Sequence, residues 1–153
     1  LTREHIGDLR SLLSRWSPYN SKERSTLELG LSRLASSIQR KRGRFWLQDR
    51  ILDTAIALEV MYELRPPELS YRLQTRAGHL LADTTEERIA ISKEVKQFYG
   101  LRSSIAHGKK GVDAKESGDA GFALAETTLR ELLRRESFPD WERLVMSSTN
   151  TPN

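Results

Sequence analysis

Apolar residues along this chain recur every three to four positions, and no segment alternates with the period of two that a half-buried strand needs. The pattern predicts an all-α domain, a bundle of about five to seven helices. A first helix is expected over residues 3–15, before the turn signal Ser17-Pro18-Tyr19-Asn20. A second starts from an N-cap at Ser21 and places Leu27, Leu31, Leu34, Ala35 and Ile38 on one face. A third spans about Phe45 to Leu64 and is stopped by Arg65-Pro66-Pro67, since proline lacks the amide hydrogen and disfavours a helical residue before it. The fourth covers about Glu68 to Leu81. The fifth opens at a Thr84 or Thr85 cap with Glu86 and Glu87 in its first turn and ends at Gly108. Residues Gly108 to Gly118, with three Gly and three Lys, read as a mobile loop. A sixth helix fits Asp119 to Arg135 and a short last one starts at Trp141, so residues 1–147 form one domain and 148–153 a frayed tail.

Two charged residues break the apolar pattern. Projected at about 100° per residue, Ile91, Val95, Phe98, Tyr99 and Ile105 of the fifth helix form one sector with Arg102 near its middle. A guanidinium in such a place cannot shed its charge and needs an anion or a route to water. The third helix groups Ile51, Leu52, Ala55, Ile56 and Tyr62 with Glu59 inside their sector, while Asp53 falls nearer the opposite side. Glu59 is therefore the expected partner of Arg102. His107 follows Arg102 by five positions, about 140° away on an ideal helix, so the two converge only if the helix ends or distorts there. Ser103, four residues before His107, shares its face and is placed to orient the ring.

Composition narrows the chemistry. The chain has 153 residues, enough for one domain with a substantial core, and opens at Leu1 rather than Met, as a segment of a longer protein would. It lacks Cys, which excludes disulfides, thiolate metal sites and a Cys nucleophile. Apolar runs are too short to span a bilayer, and Leu1-Thr2-Arg3-Glu4-His5 lacks the apolar stretch of a signal peptide, so a cytoplasmic location is expected. A net charge of +4, concentrated at Arg40-Lys41-Arg42-Gly43-Arg44 and Lys109-Lys110, favours a polyanionic partner. No His/carboxylate set has metal-ligand spacing on one face, and Gly108-Lys109-Lys110-Gly111 follows a helix where a phosphate loop would follow a strand. Neither a metal nor a cofactor is expected.

Three ordered segments, Leu58-Glu59-Val60-Met61-Tyr62-Glu63, then Glu68-Leu69-Ser70-Tyr71-Arg72-Leu73 through Arg76-Ala77-Gly78-His79-Leu80-Leu81, then Tyr99-Gly100-Leu101-Arg102-Ser103-Ser104-Ile105-Ala106-His107-Gly108, together resemble the Apea-like branch of the HEPN superfamily over about residues 45–110. The resemblance implies a helical bundle, often dimeric, and a metal-independent endoribonuclease whose short Arg…His motif is the active site. It implies Arg102 and His107 as catalytic residues. Glu59 matches the acidic position of the family's earlier helix, and Ser103 stands where the family often has Asn or another polar residue. Lys109, Lys110, Arg72 and Arg76 are the expected RNA-phosphate contacts, and Ser103 or Tyr99 could supply a second proton-transfer group in place of a partner's His107. The expected partners are RNA, a second copy of the chain, and an antitoxin or fused defence-protein domain, in a bacterial toxin or antiphage setting. Two other readings stand beside it: a catalytically silent HEPN module that dimerises or binds a nucleotide or protein, and a plain helical interaction domain.

Overall fold

The computed structural model describes residues 19–39, 45–108, 115–135 and 137–147, and among them it has six helices and no strand. The expected helix over 3–15, the basic cluster Arg40–Arg44, Lys109, Lys110 and the tail 148–153 lie outside the described residues. Helix α1 runs Ser21–Gln39, α2 Trp46–Met61, α3 Leu69–Leu81, α4 Thr85–Ala106, α5 Lys115–Arg134 and α6 Trp141–Ser147. The all-helical bundle expected from the hydrophobic period is the fold observed.

Pairing follows from local signals. Asn20, not Ser21, caps α1: its side chain accepts the Lys22 and Glu23 amides, each at 3.0 Å, while Glu23 accepts the Asn20 amide at 2.9 Å. The Lys22–Glu63 and Arg33–Asp53 ion pairs, at 3.3 and 3.5 Å, show α1 antiparallel to α2. Gly30 makes that approach close, since a Cβ there would stand 2.8 Å from Met61 Cγ. Helices α3 and α4 form a second antiparallel hairpin, with Gly78 against Arg88 and the Ser92 hydroxyl donating to Gln74 Oε1 at 2.9 Å.

Helix α2 is the central element, packed against α1, α3, α4 and α5. It is consequently buried on more than one side: Ile51, Thr54, Ala55, Ala57, Leu58 and Met61 are all inside. Asp53 does lie on the side opposite Glu59, and that side is covered by α1, where Arg33 meets the buried carboxylate. Helix α2 also ends at Met61, three residues before the expected Leu64. Tyr62 turns inward, fully buried, to share a hydrogen bond with Thr128 at 2.9 Å and lie 5.1 Å from Trp141. Helix α5 starts at Lys115, four residues earlier than expected. Gly118, read as a loop residue, lies inside it against Ile51, and Gly121, within the expected helix, packs against Phe98.

Candidate active site at the end of α4

Helix α4 is anchored by the capping box of Thr84 and Glu87 and presents Val95, Phe98, Tyr99 and Leu101 to the core. Tyr99 and Arg102, three positions apart on this helix, reach the same residue of α2. The Tyr99 hydroxyl donates to Glu59 Oε1 at 3.0 Å, and Arg102 Nη2 donates to the same oxygen at 3.4 Å. The pairing of Glu59 with Arg102 expected from the helix projections is thus present. It lies at the margin of the core, with the Arg102 side chain 33% and the Glu59 side chain 20% exposed.

Burial, and then the Glu59 charge, push the Tyr99 phenol far above its ordinary range. Tyr99 is therefore a fixed hydrogen-bond donor to Glu59 near neutrality and is ill suited to carry a catalytic proton. Arg102 Nε is buried without a hydrogen-bond partner, so the guanidinium retains a donor that its carboxylate does not use. Glu59 also borders an open groove of about 460 Å³ with Lys22, Ile56, Glu63 and Arg65.

Helix α4 continues without distortion through Ala106, and His107 is its C-cap at φ −91° and ψ 10°, its amide bonded to the Ser103 carbonyl at 3.0 Å. Gly108 takes the left-handed conformation, φ 69°, that ends the helix, with its amide on the Ile105 carbonyl at 3.0 Å. His107 and Ser103 are both exposed. Their link is this backbone bond, and among the described residues the Ser103 hydroxyl makes no bond to the ring. Since the helix stays regular, the separation of about 140° between Arg102 and His107 persists. Among the described residues no hydrogen bond or ion pair joins the two side chains.

Of the expected phosphate contacts, Arg72 is exposed on α3. Arg76 is committed to the fold: its Nη1 donates to the Tyr62 carbonyl and, at 3.4 Å, to that of Glu63, and its guanidinium lies 5.5 Å from the Trp141 ring centroid. It closes the C-terminal end of α2, where unpaired carbonyls need donors. The role of Tyr99 as holder of Glu59 escaped the sequence reading, though its spacing from Arg102 is the signal that carries it. Among the described residues no group of three or more His, Asp or Glu is placed to hold a metal ion, and no helix is long and apolar enough to cross a membrane. No protein-family model, curated protein or solved structure matches the chain.

Proposed function

We propose that this chain is a metal-independent endoribonuclease domain of the HEPN kind, working in a bacterial toxin or antiphage system. The observation that carries the reading is Arg102, an arginine held at the core margin by a Glu59 that Tyr99 also binds, with a third of its side chain exposed, on the helix that ends in the exposed imidazole of His107. The setting as a toxin or defence protein rests on the sequence resemblance alone.

In this reaction the RNA 2'-hydroxyl attacks the adjacent phosphorus while its proton passes to an imidazole. The bond from phosphorus to O5' then breaks, O5' takes up a proton, and the products are a 2',3'-cyclic phosphate and a 5'-hydroxyl. Imidazole is suited to both transfers because it changes charge near neutrality. Arg102 supplies fixed, charged donors to the phosphorane oxygens. The outward position of His107 relative to Arg102 favours a site completed by a second copy, the two His107 residues dividing the roles of base and acid. Lys109, Lys110 and Arg72 hold flanking phosphates.

Purified protein incubated with single-stranded and structured RNA in excess EDTA tests the reading. Cleavage that leaves cyclic-phosphate ends, and that is lost in His107→Ala at an unchanged melting temperature, is the expected result. Wild-type rates in that variant, or cleavage abolished by EDTA, would overturn it. The separation of Arg102 from His107 in one copy also gives weight to a second reading, a non-catalytic HEPN module that binds RNA or a nucleotide without cutting.

A further inference from the structure

Away from the α4 terminus, helices α3 and α4 enclose an open pocket of about 320 Å³ between Tyr71, His79, Arg88, Ile89 and Lys93. Tyr71 and Ile89 are 66% and 51% exposed, two large apolar side chains left in water on either side of it. Its charged lining is wholly cationic, Arg88 and Lys93, with no carboxylate among the described lining residues. Neither cation makes an ion pair among the described residues; Arg88 is steadied by the carbonyls of Ala82 and Asp83, each at 3.3 Å. Two of its polar lining residues are tied together, Ser92 donating to Gln74 at 2.9 Å, and Gln74 donates in turn to Ser70 beside the pocket at 3.1 Å. His79 Nδ1 is buried without a partner, and burial together with the Arg88 charge lowers the basicity of the ring, so it sits there as a neutral hydrogen-bonding group.

We infer that this pocket is a second nucleic-acid subsite, which takes one unpaired nucleotide of an RNA strand by stacking its base on Tyr71 against the Ile89 wall and placing its phosphate between Arg88 and Lys93. An exposed aromatic face flanked by unpaired cations is the pairing of chemistries that single-stranded nucleic acid uses. The inference rests on the ribonuclease reading for its ligand class. It deepens that reading, because the pocket lies far from His107 yet is connected to it. Lys93, Lys96, Gly100, Ser103 and His107 follow one another at steps of three and four on α4, hence along one face, and all five are exposed. This face has no carboxylate and extends about 21 Å from Lys93 to His107. Gly100 stands on it in mid-helix with nothing within 4 Å of where a Cβ would be, an opening for the close approach of a sugar-phosphate backbone. The pocket therefore holds a nucleotide several positions away from the cleaved bond.

The test measures binding of a fluorescein-labelled single-stranded oligoribonucleotide long enough to cover the whole face, and cleavage of that oligonucleotide and of a dinucleotide. Tyr71→Ala/Lys93→Ala should bind the long strand roughly tenfold more weakly and raise its KM, at an unchanged melting temperature, because both side chains are exposed. Dinucleotide cleavage should be the same as in the wild type. Equal affinity of variant and wild type for the long strand overturns the subsite and leaves the cleavage reading untouched. A wild type that cleaves nothing, yet binds the long strand in a manner dependent on Tyr71, removes the cleavage reading and keeps the subsite.

Discussion

Arg102 and Tyr99 share one oxygen of Glu59, at 3.4 and 3.0 Å, and the burial of that trio decides how much it contributes to stability. A fully buried ion pair leaves a costly charge behind when one partner is removed, about 3 to 5 kcal/mol. With side chains 33% and 20% exposed, water reaches both groups and screens them. Arg102→Ala should therefore destabilise the fold by only about 1 kcal/mol while abolishing cleavage. Arg102→Lys should recover most of the stability and none of the activity, since a point charge replaces a planar fork of donors. Melting curves and cleavage rates of the two variants, measured side by side, check both statements. A Lys variant with wild-type activity would mean that charge alone is used. At this scale the pairing was readable from two helix projections, but its partial exposure was not, because the margin of a core is set by neighbouring helices.

Among the helices, glycine has opposite meanings at two positions. Gly121 lies in α5 where a Cβ would stand 2.1 Å from Phe98 Cδ2, so the absence of a side chain is what lets α4 and α5 meet. Gly100 lies in α4 in open space. Gly121→Ala should destabilise the protein by roughly 1 to 3 kcal/mol through overpacking. Gly100→Ala should stabilise it by about 0.5 to 1 kcal/mol by removing backbone freedom from the unfolded chain. Denaturant midpoints that move in opposite directions are the expected outcome, and a destabilising Gly100→Ala would contradict the open surroundings of that residue. The start of α5 was misplaced from sequence for the same reason. Glycine breaks helices by propensity, yet Gly118 serves here as a contact point whose partner, Ile51, comes from a distant part of the chain.

For the molecule as a whole, the placement of His107 outside and Arg102 at the core margin makes assembly the central question. We expect a two-fold homodimer that sets each Arg102 near a His107 of the other copy at the rim of a shared basic cleft. Light scattering over a dilution series, followed in parallel with cleavage, should show activity falling as the dimer dissociates. A fully active monomer would defeat the shared site.

The hydrophobic period by itself determined that the chain is helical and roughly where most helices lie, because a stripe recurring every 3.6 residues has no other low-energy way to be buried. Local capping chemistry, such as Thr84 with Glu87, was equally legible, since its partners lie within one turn. Only the tertiary structure decided that α2 is enclosed by four neighbours, which buries Asp53 as well as Tyr62. It alone assigned Arg76 to the carbonyls at the end of α2 and left Tyr71 in solvent. A single helix projection divides residues into an inner and an outer face, whereas burial depends on how many helices surround that cylinder, and the number is a property of the packed whole.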